Sequence, residues 1–191
     1  MTATRRRTPP RPGAAPGKTP DNVAAMIRVD HAGEYGAVRI YQGQLAVLGA
    51  SPATKRSADL VRHMAAQEDE HLRTFDRLIA DRGVRPTALV PLWDAAGFAL
   101  GAVTALMGEK AAMACTEAVE EVIDAHYAAQ SEALNGTDAE LEDVVARFRA
   151  DEIVHRDTAR AEGAREAVGY PVLTAVVKAG CRLAIRLSEK I

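Results

Sequence analysis

With 191 residues, two cysteines and a formal net charge of −2, the chain is long enough to bury a core without disulfides. Aromatic residues make up only 4% and alanine is plentiful, which favours helices packed through small side chains over a β-sandwich. Cys115 and Cys181 stand far apart inside apolar helical patterns, which excludes a secreted disulfide framework or a zinc knuckle and points to a reducing compartment.

Residues 1–20 carry Arg5, Arg6, Arg7, Arg11 and Lys18 with no acid, and hold five of the nine prolines. They read as a disordered basic arm ahead of a folded part at 21–191 that is net acidic. A nucleic-acid protein would concentrate positive charge on the folded part, so no nucleic-acid partner is expected. The arm lacks the apolar stretch of a secretory signal and the amphipathic pattern of a mitochondrial transit peptide. Its role is left open between an idle tail and weak attraction to anionic lipid.

From Asp21 the pattern is helical. The first helix is predicted over 22–49, followed by a break at Gly49-Ala50-Ser51-Pro52 with Ser51 as N-cap and Pro52 at the first helical position. The second runs to about Arg82, where Gly83 stops it, and Pro86 and Pro91 keep the connection extended. A third, very apolar helix starts at Asp94 and is uncharged from Ala95 through Gly108. The fourth covers 109–134 and ends at Asn135-Gly136. The fifth spans about 138–167, and a sixth runs from Pro171 to the C-terminus. With no strand run, the expected class is all-α.

Two Glu-x-x-His pairs, Glu68–His71 and Glu152–His155, carry the chemistry. Residues three apart share a helix face, so each pair can offer a carboxylate and an imidazole to one metal ion. About 0.4 such pairs are expected by chance. The hairpins add the decisive spacing. Glu34 and Glu68 each lie 17 residues from Ser51, and Glu120 and Glu152 each lie 16 from Gly136. In an antiparallel hairpin, residues equidistant from the turn stand at the same height, here about 24–26 Å from it. Each hairpin thus sets one Glu opposite one Glu-x-x-His, the ligand recipe of ferritin-like di-iron proteins. Hard oxygens with a few imidazoles suit iron or manganese. Without metal, four buried carboxylates would repel one another and raise their pKa values.

Several segments also resemble a known family. They are Arg28-Val29-Asp30-His31-Ala32-Gly33-Glu34-Tyr35-Gly36-Ala37, Gln67-Glu68-Asp69-Glu70-His71-Leu72, Ala114-Cys115-Thr116, Ala118-Val119-Glu120-Glu121, His126-Tyr127, Asp151-Glu152 with His155, and Ala179-Gly180-Cys181-Arg182. In this order, over essentially 21–191, the chain resembles the demethoxyubiquinone hydroxylases of ubiquinone biosynthesis. The resemblance implies metal ligands at Glu34, Glu68, His71, Glu120, Glu152 and His155, and no catalytic residue beyond them. It implies two iron ions, O2 as co-substrate, electrons ultimately from NADH, and hydroxylation of a polyprenylated methoxy-benzoquinol. A lipid-binding ubiquinone-biosynthesis protein is the implied partner in some organisms, and a homo-oligomer is left open. No Gly-x-Gly-x-x-Gly fingerprint for a nucleotide occurs.

Around these positions, Glu121 points about 100° from Glu120 and is taken as a non-ligand. Glu117 is a candidate neighbour of the ligands. His31, His63 and His126 read as structural or ligand-supporting histidines, and Tyr127 as a candidate substrate neighbour. A polyprenylated substrate requires contact with a bilayer. The uncharged stretch 95–108, with Gly97-x-x-x-Gly101, is too short to span one. Lys178, Arg182 and Arg186 form a basic stripe beside apolar residues of the last helix. The expected fold is therefore a ferritin-like four-helix bundle with two additional apolar or amphipathic membrane-associating helices. The expected location is peripheral on the cytoplasmic side of a bacterial inner membrane, with the matrix side of the mitochondrial inner membrane as the alternative. The rival functions are a ferritin-like iron store or peroxidase, and a metal-free membrane-associated helical adaptor.

Overall fold

A computed structural model describes residues 19–191, so the expected arm at 1–20 lies almost wholly outside the described residues. Among these, six α-helices and no strands occur: α1 (Asp21–Leu48), α2 (Lys55–Arg82), α3 (Val90–Leu106), α4 (Glu109–Leu134), α5 (Ala139–Ala161) and α6 (Tyr170–Ser188). The all-α expectation holds.

The turns follow from their residues. The Ser51 side chain accepts from the Ala53 amide at 3.2 Å, with Pro52 next in line. It caps a single 3-10 turn (Pro52–Thr54) that leads into α2, not α2 itself. Gly83 ends α2 with φ 62°, a left-handed conformation that glycine adopts without strain. Asn135 and Gly136 end α4 in the same region, and Asp138 caps α5 by accepting from the Leu141 amide at 3.1 Å.

Two boundaries differ from the sequence reading. Helix α3 begins at Val90, four residues before Asp94, because Pro91 occupies its first turn, where the missing N–H costs nothing. Helix α5 ends at Ala161, well before 167, because Gly163 turns left-handed (φ 84°) and a 3-10 turn (Ala164–Glu166) follows.

Long-range pairs fix the packing. Arg56 at the start of α2 meets Glu162 just past α5 at 2.5 Å, and Arg82 at the end of α2 meets Asp138 and Glu140 at the start of α5. Those two helices are therefore antiparallel. Helices α1 and α4 are antiparallel too, since Tyr41 reaches Glu120 while Tyr127 reaches Glu34. The four long helices thus enclose one interior, with apolar clusters toward either end. Ile27, Phe75, Leu141 and Val145 belong to one, and Tyr41, Leu48, Val61 and Met113 to the other.

Helix α3 lies outside this core, parallel to α1 and in backbone contact with it. A Cβ on Gly101 would come 1.9 Å from the Ile40 carbonyl oxygen, and one on Gly43 would come 2.2 Å from that of Phe98. The close approach expected of Gly97 and Gly101 is thus present, and Gly43 answers it from the α1 side. Gly101→Ala should cost about 3 kcal/mol, because two backbones must separate. Urea unfolding would read this as a lower midpoint with little change in slope. Helix α6 packs along α4 on the other side of the cleft that α3 borders.

Candidate metal centre

Glu34 on α1, Glu68 and His71 on α2, Glu120 on α4, and Glu152 and His155 on α5 point into the middle of the bundle, and each is buried. Their ligand atoms form two groups, each within 4.8 Å: Glu34, Glu68, His71 and Glu152, and Glu68, Glu120, Glu152 and His155. Glu68 and Glu152 belong to both. One hairpin therefore does not supply one complete site; each metal position would draw on both hairpins and share the two central carboxylates.

Both imidazoles turn Nδ1 inward. His71 Nδ1 lies 3.3 Å from Glu152 Oε1 and 3.5 Å from Glu34 Oε2, while His155 Nδ1 lies 3.0 Å from Glu68 Oε1 and 3.3 Å from Glu152 Oε2. Each Nε2 faces outward to a partner that fixes the ring. His71 Nε2 is 3.2 Å from Asp151 Oδ2, and His155 Nε2 is 3.1 Å from Gln67 Oε1. An imidazole held by its outer N–H presents an unprotonated inner nitrogen, the form a cation takes. The His71 ring is also stacked 3.8 Å from Phe148.

Electrostatics alone leave this cluster unsatisfied. Burial, then Glu152, Glu34 and Glu120, push the Glu68 carboxyl well above its ordinary value. Burial and Glu152 do the same to Glu120. Burial opposes charge on His71, but the Glu152 and Glu34 carboxylates outweigh it and raise that ring to about 11. Glu152 is held low, because His155 and His71 overcome its burial. Glu68 Oε1, both oxygens of Glu152 and Nδ1 of both histidines have no hydrogen-bond partner although buried. Buried polar atoms in folded proteins are nearly always paired. Five orphans converging on two points, all oxygen or imidazole nitrogen, fit a pair of divalent cations of the iron or manganese type.

A family model described as ubiquinone biosynthesis protein COQ7 matches residues 21–188. The chain belongs to the COQ7 family. The 3-demethoxyubiquinol 3-hydroxylase of Rhodospirillum rubrum is 58% identical over 168 residues, covering 87% of this chain and 77% of that protein. The NADPH-dependent 3-demethoxyubiquinone 3-hydroxylase, mitochondrial, of Homo sapiens is 46% identical over 184 residues, 92% of this chain and 83% of its own. The 5-demethoxyubiquinone hydroxylase, mitochondrial, of Saccharomyces cerevisiae is 43% identical over 182 residues, 87% and 77%. COQ7 membership bears out the resemblance read from the sequence.

All six expected residues of this COQ7 chain come together, and several supporting ones were missed. The Tyr41 hydroxyl donates to Glu120 Oε1 at 2.8 Å, and the Tyr127 hydroxyl donates to Glu34 Oε1. Each tyrosine lies seven residues after one glutamate and serves the other, so Glu-x6-Tyr occurs on both α1 and α4. Likewise Gln67 and Asp151, each just before a Glu-x-x-His, hold the other pair's imidazole. These repeats were the available signal. Tyr127, a candidate substrate neighbour, bonds a candidate ligand and also lines a small cavity beside the cluster.

The remaining expectations divide. Glu121 stays out of the centre, paired with Arg160 and Lys178. Glu117 does not support a ligand: it is fully buried and accepts from Arg160 at 2.6 Å, Arg165 at 3.2 Å and Tyr170 at 2.9 Å, tying α6 to α4 and the end of α5. His31 is held 3.0 Å from Asp76 and His126 3.1 Å from Asp30, whereas His63 is exposed on α2. Burial pushes the thiols of Cys115 and Cys181 up to about 12 and about 11, leaving both neutral and outside the centre.

An apolar cleft of about 370 Å³ runs between α1, α3, α4 and α6, lined by Ala37, Ile40, Gly97, Leu100, Ile123 and Val177 among others. Its inner wall (Val29, Gly33, Ala37, Ile123, Ile185) also walls a small cavity that touches Glu34, Glu68, Glu120 and Glu152. No helix among the described residues is long and apolar enough to cross a membrane.

Proposed function

We propose that this chain is a di-iron monooxygenase that hydroxylates a polyprenylated methoxy-benzoquinol on the route to ubiquinone. The observation that carries the reading is the apolar cleft sharing its wall with a buried carboxylate–histidine cluster. Storage of iron alone calls for no such cleft. The names of the relatives support the substrate class and the reaction.

Glu34, Glu68, His71 and Glu152 would hold one iron, and Glu68, Glu120, Glu152 and His155 the other. A ferrous pair held by these residues would supply the O2 chemistry. Four carboxylates offset the charge of two divalent ions. Tyr41 and Tyr127 keep Glu120 and Glu34 in place, while Asp151 and Gln67 keep the imidazoles turned inward. The cleft walls exclude water and leave the isoprenoid tail in an apolar environment while the ring lies toward Ala37 and Ile123. Overall, a ring C–H, O2, two electrons and two protons give C–OH and one water. A reduced nicotinamide is the ultimate electron source, and the human relative carries NADPH in its name.

Attachment to a bilayer belongs to this reading. Helices α3 and α6, which border the cleft, expose Leu92, Val103 and Leu106, and Val172, Val176 and Leu183. Arg182 and Arg186 are exposed beside them, but Lys178 is taken up by Glu121 and drops out of the expected basic stripe. These faces suit peripheral binding, with the cleft opening toward lipid. The location proposed with this reading is the cytoplasmic face of a bacterial inner membrane.

The test is incubation of the Fe(II)-loaded chain with demethoxyubiquinol, a reductant and 18O2. The expected product is heavier by one 18O atom, detected by mass spectrometry. Oxygen consumption with no labelled quinol would sink the proposal. Ala37→Phe should narrow the cleft and lower turnover of long-tailed quinol about tenfold while leaving two irons bound.

A further inference from the structure

Hydroxylation as proposed above consumes two protons for each water released, yet the cleft that admits the substrate is apolar along its length. A second approach to the centre is polar. Asp30, on α1 one turn before Glu34, has a fully buried side chain in contact with part-exposed His126 on α4. His126 Nε2 lies 3.1 Å from Asp30 Oδ1, and the Gln130 amide donates to the same oxygen at 2.7 Å. The other carboxylate oxygen, Asp30 Oδ2, is buried without a partner.

Two cavities meet at this pair. The inner one, about 20 Å³, is lined by Asp30, His126 and Tyr127 together with Glu34, Glu120 and Glu152. That is room for about one water, and a buried carboxylate oxygen with no protein partner is the kind of group such a water satisfies. The outer one, about 360 Å³, is a surface depression lined by Asn22, Met26, His126, Gln130 and Glu189. His126 walls both. The groups facing it are Asp30 from α1, Gln130 and Tyr127 from α4, and Glu189 just beyond α6.

We propose that His126 and Asp30 form a proton inlet to the metal centre, separate from the cleft. A proton from solvent in the outer depression binds His126, which passes a proton to Asp30. Asp30 gives it up through one water toward the Glu34 side of the centre, and both residues return to their starting state. The stoichiometry of hydroxylation supplies the demand: the centre needs two protons per turnover, a hydride donor accounts for at most one of them, and at least one therefore comes from solvent through the relay, which ends the turnover unchanged. The inlet rests on the hydroxylase reading.

The test compares the wild-type chain with H126Q and D30N, both loaded with Fe(II). Both variants are expected to keep two irons per chain. In H126Q turnover should fall about 10²-fold, the scale of losing one proton-transfer group, with a larger solvent isotope effect. Added imidazole should recover part of the rate in H126Q and none in D30N. In the metal-free chain, 15N spectra should find the His126 ring protonated to higher pH in wild type than in D30N. Unchanged turnover in H126Q, or a loss that imidazole does not relieve and that leaves the isotope effect unmoved, would overturn the inlet alone. A wild-type chain that binds iron but never hydroxylates the quinol would remove the hydroxylase reading and the inlet with it.

Discussion

Glu152→Ala is expected to empty both metal positions together, whereas Glu34→Ala and Glu120→Ala should each empty about one. Glu152 is common to both ligand groups, both of its oxygens lack a hydrogen-bond partner, and each faces a different imidazole at 3.3 Å. Glu34 and Glu120 each belong to a single group. Loss of a residue that merely supports a ligand typically lowers affinity or activity 10–100-fold, so loss of a shared ligand should lower turnover by at least about 10²-fold. Iron per chain after anaerobic loading and desalting checks the order. If Glu152→Ala retained as much metal as Glu120→Ala, the shared role would be wrong.

The second large effect is an inversion of pH dependence on metal binding. Glu68 and Glu120 hold protons more tightly in the folded chain, first through burial and then through neighbouring carboxylates. His71, raised to about 11 by Glu152 and Glu34 against its burial, does so as well, and His155 is shifted the same way. Groups raised on folding contribute stability that is complete below their unfolded values and is lost as pH rises through the folded ones. Glu152 acts oppositely: its lowered value contributes stability that disappears on acidification. Four raised groups against one lowered give a metal-free protein whose Tm falls by several degrees between about pH 5.5 and about pH 8.5. A bound cation reverses this, because it requires unprotonated carboxylates and imidazoles and its affinity therefore rises with pH. With redox-inert Mn(II) in excess, Tm should rise over the same range. Parallel curves with and without metal would mean that the cluster is not where the ion binds.

The parts of this molecule visible in its sequence are those that depend on helical geometry alone. Glu68–His71 and Glu152–His155 share a face because three residues make most of a turn, and equal distances from Ser51 and Gly136 set the heights. The candidate ligand set therefore needed no tertiary information. The sharing of Glu68 and Glu152 between positions did, since it depends on how the two hairpins rotate toward each other. For the same reason Tyr41, Gln67 and Asp151 went unnoticed: their partners are 79, 88 and 80 residues away. Lys178 belongs to a basic stripe by its place on the last helix, but its pairing with Glu121 lies outside that helix and shows only in the tertiary structure. The start of α3 was misplaced because Pro91 can either keep a connection extended or open a helix, and only packing against α1 decides.

Anaerobic titration of the full chain with Fe(II), followed by O2 and Mössbauer spectroscopy, tests the central claim most directly. The account predicts two ferrous ions per chain and, after oxidation, a spin-coupled pair in place of isolated ferric sites. A single iron per chain, or two that never couple, would contradict it.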